Sequence, residues 1–468
     1  MTQRAYVAES ALDGGALGLA LAPALTPEGL SASPSFFHGF ALHPQVLARG
    51  LVTLADITST RYFKYVPTTL RDPVLTAHGD RLRAEVFSAC NGVYARLDVL
   101  GSGLDGGEIA HGTTNVDVGS KMRQLLSSVG RDATLHLDVG REGLRAVTAT
   151  DTAVERPVQM PDRWVRALGN AAELHHGFVE AFRVGKLPAR QFLTQLPPVT
   201  STTKSGWLTA SRTGLRVAPR PSAGAVFING LHRLSALRRL LTHAEGLAAY
   251  GPADGSAGPA AIELELPGAR ILLALTEESW RGYSGEGALL EGLASPTVLD
   301  DADLLSVSLA FEPIIDEGKL ARESGLDLAR VRGGLAVLAA SGRVGWDVRD
   351  AAWFHRELPS DPDRVTKDNP RLVAARKLLE AGAVRPVDGR PGEFTVTSSG
   401  TPYRVTPGAV EPLPRCTCLW TLKHGNGRGP CKHQLAVRLS LGVEVELVAP
   451  AGDDAPVGDH VTAPGGTA

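Results

Sequence analysis

The stretch Arg415–Leu439, RCTCLWTLKHGNGRGPCKHQLAVRL, decides how the C-terminal part of this chain folds. It holds three of the four cysteines of the 468 residues. Cys416 and Cys418 form a C-x-C pair, and Cys431 and His433 a C-x-H pair. The segment between them carries Gly425, Gly427, Gly429 and Pro430, a composition that reverses the chain. Leu435 and Leu439 lie four apart, so a helix starting near Lys432 would pack both toward the strands before Cys416.

Three thiolates and one imidazole complete a tetrahedral first shell for Zn²⁺. With four protein ligands and no carboxylate in the motif, no coordination position is left for chemistry, so the zinc is expected to be structural. His424 is a spare imidazole in the loop; His433 is preferred because it sits two residues from Cys431. A chance cluster is a poor explanation in so cysteine-poor a chain. The flanking hairpin and helix, with the ligands Cys416, Cys418, Cys431 and His433 and the following Trp420, resemble the SWIM zinc finger of bacterial type, C-x-C-x(n)-C-x-H. The resemblance covers about residues 393–440 and implies DNA or protein binding.

Charge fits a binding use. Residues 415–438 carry Arg415, Lys423, Arg428, Lys432 and Arg438 with no acid, a local +5. Residues 439–468 carry five acids and no base. That acidic stretch either neutralises the finger or competes with phosphate for it. The whole chain has a formal charge of −2, so any attraction to nucleic acid has to be local.

Upstream, residues 316–355 read as two helices and a short hairpin. The helices are expected over about 316–324 and 328–340, turning at Gly325-Leu326, with strands at 343–348 and 352–355. The order resembles a winged helix-turn-helix. Six bases against five acids over 316–349 argue for an architectural or protein-contacting role over DNA reading, although Arg330 and Arg332 would be placed to reach a groove. A helix at 371–381 and strands around Phe394–Val396 and Tyr403–Val405 lead into the finger.

The N-terminal region is expected to be mixed α/β. Leu82–Leu100 reads as two strands about the Asn91-Gly92 turn. A helix is expected over 120–129, with strands at 134–139 and 144–148. Ala225–Gly246 reads as strand then helix, and Ala260–Thr276, after a Gly/Ala-rich insert, as strand, turn, strand. The repeated strand–helix–strand–strand order suggests a duplicated unit. On pattern alone it is similar to the repeating unit of DNA sliding clamps. Between the blocks one long helix is expected over 162–193, with Asp162 capping it. Its His175 and His176 point about 100° apart and cannot share an ion.

The fold class is therefore α+β and multidomain. The parts are a flexible start (1–35), an α+β region (36–275), a connector with the winged-helix-like segment (276–360), a helix, hairpin and finger (361–448), and an acidic disordered tail (449–468). Arg61–Tyr65 interleaves bases and aromatics as a stacking platform would, but an edge strand with core aromatics explains it better. Cys90 reads as a small buried residue. Gly14–Leu25 is apolar like a signal segment, yet Glu9 and Asp13 precede it, and a cytoplasmic protein is expected. There is no apolar run long enough for a membrane span, no Walker A loop and no G-x-S-x-G. The expectation is a non-enzymatic zinc protein that binds nucleic acid, DNA before RNA; a protein-interaction adaptor for a separate ATPase or nuclease is the alternative. An enzyme site around 61–115 ranks third.

Overall fold

The structure is a computed structural model. It describes residues 11–13, 16–18, 24–26, 29–31, 35–62, 73–140, 142–158, 162–201, 205–212, 214–278, 282–283, 297–356, 370–406, 415–424 and 430–441. The fold is α+β and multidomain, with antiparallel sheets throughout.

An eight-stranded sheet is its centre. Across it run His111–Asn115, Val74–His78, Arg81–Phe87, Val93–Leu100, Ala269–Leu275, Ala260–Leu266, Gly246–Pro252 and Phe178–Gly185. Each half of the N-terminal region supplies three consecutive antiparallel strands and one edge strand. The halves join where Leu97 faces Ile271. Helices α1 (Pro44–Thr58) and α2 (Ser120–Ser128) belong to the first half. Helix α3 (Asp162–His176) links the halves. Helix α4 (Lys186–Gln195) and the 3₁₀ helix Leu231–Leu240 belong to the second. A five-stranded sheet of Thr152–Glu155, Gly143–Thr148, Leu135–Gly140, Ser35–Ala41 and Leu104–Ile109 flanks the first half. A three-stranded sheet of Gly214–Ala218, Gly206–Ser211 and Val226–Ile228 flanks the second.

The alternation of strand side chains gives the central sheet two different faces. Val93, Ala95, Leu97 and Val99 point to one side, where α1 lies. Gly50 allows the close approach, because a Cβ there would stand 2.9 Å from Leu97 Cδ2. Twelve of the fifteen residues of α1 are buried as a result, at about 1.5–3 kcal/mol for each large apolar side chain. Tyr94, Arg96 and Asp98 point to the other side. There α3 covers the aromatics, with Phe87 edge-on to Trp164 at 5.8 Å.

The C-terminal part begins with helices α5 (Val298–Ser308), α6 (Glu317–Ser324) and α7 (Leu328–Ala340). The Asp316 and Asp327 side chains cap α6 and α7, and Gly325 turns between them at φ 72°. A hairpin of Val344–Asp347 and Ala352–His355 follows. Helix α8 (Pro370–Glu380) precedes a four-stranded sheet of Val384–Pro386, Phe394–Ser398, Thr401–Thr406 and Arg415–Cys416. Helices α9 (Leu419–His424) and α10 (Lys432–Leu441) end the described chain.

Two expectations require correction. The long helix over 162–193 is two helices separated by the strand Phe178–Gly185. A bulge between Glu180 and Phe182 breaks the strand's alternation, and its partner Gly246–Pro252 lies far along the chain, so no local signal marks it. That partner strand replaces the start of the expected Gly/Ala-rich insert. Within 1–35, hairpins pair Ala11–Asp13 with Ala16–Gly18 and Ala24–Thr26 with Gly29–Ser31. The Gly14-Gly15 dipeptide after Asp13 was a usable hairpin signal. The acidic stretch 449–468 lies outside the described residues.

Candidate metal centre

The four-stranded sheet and α10 build the site. Strand Thr401–Thr406 pairs with Arg415–Cys416, and Val405 opposes Cys416. Thr417 N–H donates to Arg404 O, and Arg404 N–H donates back to Thr417 Oγ1 at 3.1 Å. This knuckle brings Cys418 to the same side as Cys416. Cys431 stands immediately before α10: its N–H donates to Gln434 Oε1 at 2.8 Å, and its carbonyl accepts from Leu435 N–H. His433 and Val437, one turn apart, face the sheet.

The Cys416, Cys418 and Cys431 sulfurs and one His433 nitrogen lie within 4.8 Å of one another, and all four residues are buried. His433 Nδ1 is 3.7 Å from Cys416 Sγ and 3.9 Å from Cys431 Sγ. A tetrahedral zinc with Zn–S near 2.3 Å and Zn–N near 2.0 Å spaces nitrogen and sulfur about 3.6 Å apart, so the donor set fits. Hydrogen bonding from Cys416 holds the Cys418 thiol far below its ordinary value, and the same bond pushes Cys416 up. Three sulfurs this close share protons unless a cation replaces them. The cluster can hold a metal ion.

Its surroundings are apolar and specific. Val396, Val405 and Val437 pack on the cysteines. The Tyr403 ring stacks on His433, centroids 4.3 Å apart. The Arg371 guanidinium from α8 lies over the Trp420 ring and donates to Pro430 O at 2.8 Å, tying α8 to both arms of the loop. Leu435 packs among Leu372 and Ala375 rather than toward the strands, as does Leu439; Val437 takes the place facing the hairpin. The His424 side chain lies outside the described residues.

The basic residues expected to meet nucleic acid are dispersed. Arg415 is exposed and Lys432 half-buried, whereas Arg438 is buried. Arg428 and the Lys423 side chain lie outside the described residues. In the helix pair, Arg330 Nη2 pairs with Asp301 Oδ1 at 2.6 Å and Arg332 Nε with Glu317 Oε2 at 2.8 Å. Tyr62 is buried and Arg61 exposed, while residues 63–65 lie outside the described residues. His175 is buried against Tyr94 and Tyr283, and His176 stacks on Trp353, so the two histidines serve separate contacts. Cys90 is half-buried and accepts from Tyr62 N–H.

Sequence reading missed the buried charge network on the second face of the central sheet. The turn after Val344–Asp347 plugs into it. Asp347 bonds Arg83 at 2.6 Å, Arg270 at 2.7 Å and Arg96 at 2.9 Å. Asp98 binds Arg83 and Arg270 from within the sheet. Asp350 reaches Arg81, and Arg349 reaches Glu263 and Glu265. The charged alternation of R-L-R-A-E-V-F was the available signal, but such alternation ordinarily marks a solvated face.

No family model matches the chain, and no curated protein matches it. Among solved structures it is similar to the proliferating cellular nuclear antigen of Entamoeba histolytica, at 10% identity and a TM-score of 0.35, over 52% of this chain and 99% of that one. It is also similar to the PCNA2–PCNA3 complex of Sulfolobus tokodaii, at 9% identity and a TM-score of 0.37, over 52% and 99%. Likeness of this degree identifies neither a family nor an activity. No helix among the described residues is long and apolar enough to cross a membrane.

Proposed function

We propose that this chain is a non-enzymatic, cytoplasmic zinc protein whose SWIM-type finger binds nucleic acid, DNA before RNA. The observation that carries the metal is the buried S₃N cluster of Cys416, Cys418, Cys431 and His433 at tetrahedral spacing. Zinc bound there would neutralise the thiolates and fix the strand end, the loop and α10 in one arrangement, leaving no position for a substrate. The exposed Arg415 and the half-buried Lys432 adjoin the cluster residues in sequence and supply cations for phosphate. The helix pair α6–α7 and its hairpin fit a winged helix used architecturally: the hairpin turn is committed to the sheet, and Arg330 and Arg332 have carboxylate partners in their own segment.

The test is metal content and duplex binding of the full chain and of Cys431→Ser. The reading expects about one zinc per chain and salt-dependent DNA binding, with both reduced at least tenfold in the variant. Full metal loading without DNA affinity would overturn the nucleic-acid part.

One observation favours the alternative, a protein-interaction adaptor. Leu419 and Leu422, at i and i+3 on α9 beside the cluster, are 82% and 74% exposed. Such a pair suits a protein contact better than phosphate. Recovery of a protein partner that Leu419→Ser/Leu422→Ser no longer retains, together with absent DNA binding, would select it.

A further inference from the structure

The metal cluster occupies only one face of the sheet that carries it. Side chains alternate along a strand. Val384, Val396, Tyr403, Val405 and Cys416 therefore point to the cluster and its core, where Tyr403 stacks on His433. The register fixes what the opposite face holds. Arg385 pairs with Thr395, and Thr395 with Arg404. Thr417 continues the same row, since its N–H donates to Arg404 O. One step along, Thr406 pairs with Arg415. The outer face thus carries Arg385, Arg404 and Arg415 together with Thr395, Thr397, Thr406 and Thr417.

This face is open and basic. Arg385, Arg404 and Arg415 are exposed, and among the described residues none of them has an ion pair. Thr397 and Thr417 are exposed, while Thr395 and Thr406 are half-buried. The nearest acid along the chain, Glu393, precedes the strand Phe394–Ser398 and is already paired with Arg390 at 3.4 Å. The aromatic residues of the two central strands, Phe394 and Tyr403, lie on the inner side. Neighbouring strands lie about 4.8 Å apart, so Arg385 and Arg404, with one strand between them, stand about 10 Å apart along the row.

We infer that this face is a base reader: it enters the major groove of duplex DNA and distinguishes sequence through Arg404 and the threonines beside it. The inference rests on the nucleic-acid reading proposed above and names the surface that carries it. The major groove is about 12 Å wide and admits a two-stranded ribbon. The hairpin of Phe394–Ser398 and Thr401–Thr406 supplies one, with Thr395, Thr397, Arg404 and Thr406 toward the bases. A guanidinium donates two hydrogen bonds to guanine O6 and N7, and a threonine methyl packs on the methyl of thymine. Arg385 and Arg415 come from the strands on either side of the hairpin, where the phosphates of the groove walls run. Duplex RNA does not fit, because side chains cannot read its deep, narrow major groove. Nor does a single strand, which calls for stacking aromatics. A protein partner would call for aromatic or apolar anchors, and among the described residues these strands expose no large apolar side chain.

The experiment uses the full chain to select bound duplexes from a DNA pool randomised over about 12 base pairs, slightly more than one helical turn. Anisotropy then compares an enriched duplex with a scrambled one of the same composition, as DNA and as RNA, across a salt series. The parent should prefer the enriched DNA by about a hundredfold or more. Arg404→Ala should cut that preference by about fivefold or more. Arg385→Ala/Arg415→Ala should instead weaken both DNA duplexes alike and shallow the log–log salt slope by about 0.9 for each phosphate that is no longer neutralised. Arg216→Ala removes an exposed arginine from the strand Gly214–Ala218, in another sheet, and should match the parent. Zinc content equal to the parent's checks that each variant keeps the cluster. A parent that binds duplex DNA without preference, or prefers duplex RNA, overturns this inference and leaves binding by the finger standing. So does an Arg404→Ala variant that keeps the full preference. A parent that binds no DNA at low salt overturns this inference and the proposed function together.

Discussion

At the residue scale, burial turns ordinary side chains into fixed hydrogen-bonding parts. His355 on the hairpin is buried, and its Nδ1 accepts from Phe311 N–H at 2.9 Å. Phe311 sits at φ 61°, an uncommon conformation for a side chain of its size, and its carbonyl faces His78 Nδ1 at 3.0 Å. Two histidines from different elements thus pin both backbone polar groups of one residue between α5 and α6. Burial, followed by the charges of Arg343 and Arg356, lowers His355 from 6.5 to about 3. The unfolded chain therefore takes up this proton first as pH falls. The associated stability is complete above pH 6.5 and is lost progressively on acidification toward pH 3, at about 1.4 kcal/mol per pH unit for one proton. His355→Asn keeps an acceptor near the Nδ1 position and removes the titration. Denaturant midpoints measured between pH 7 and 4 should fall less steeply in the variant by about one proton's slope; equal slopes would show that His355 is not a contributor.

At the element scale, the hairpin is held by charge on the side of the central sheet and by Val344 and Trp353 in the helical core. Asp347 is fully buried with Arg83, Arg96 and Arg270 around it, and the guanidinium of Arg83 lies 3.9 Å above the Phe354 ring. Those arginines hold its carboxyl well below the usual range against the opposing cost of burial. Removing one member leaves buried cations short of counter-charge, which typically costs about 3–5 kcal/mol. Asp347→Asn, nearly isosteric, is expected to destabilise the chain by that order in chemical denaturation. Adding Arg96→Met should recover part of the loss, because an unpaired buried cation is then removed. If the single variant is neutral, the hairpin is docked by other contacts.

Legibility also differs from element to element. The helix pair, its hairpin and the strands about Asn91-Gly92 were readable because capping aspartates, a Gly325 stop and a turn dipeptide are local signals. Phe178–Gly185 was not, because its partner is remote and its bulge hides the period. The clustering of Cys416, Cys418, Cys431 and His433 was readable from spacing, since short pairs leave little conformational choice. The basic character of α1, α2, α4 and the 3₁₀ helix was not, because the cations come one to three per helix and only packing gathers them.

At the scale of the whole molecule, stability is divided unequally. The core of the α+β region runs from Phe36 to Tyr283, whereas the core at the cluster consists of Val396, Val405, Val437 and the three cysteines. A metal bound at the cluster would supply much of the folding free energy that so small an apolar core lacks. Chelation at neutral pH should remove amide-exchange protection from the strands Phe394–Ser398 and Thr401–Thr406 and from α10, while Arg81–Phe87 and Ala269–Leu275 keep theirs. Leu435 and Ala436 also enter the helical core of α5, α7 and α8, so α8 should loosen partly. Uniform loss of protection in every element would contradict this division.

The sequence by itself determined the Cys/His quartet, the α+β class and the locally punctuated elements, because spacing, capping and turn chemistry act over a few residues. Only the tertiary structure decided where charge ends up. The alternating R-L-R-A-E-V-F strand has the pattern of a solvated face, yet Asp347 arrives from more than two hundred and fifty residues away and buries it. Arg49, Lys121, Arg190 and Arg238 look like scattered surface cations until four helices align over one sheet. Ion pairing and electrostatic patches depend on distances through space, and those are set by packing alone.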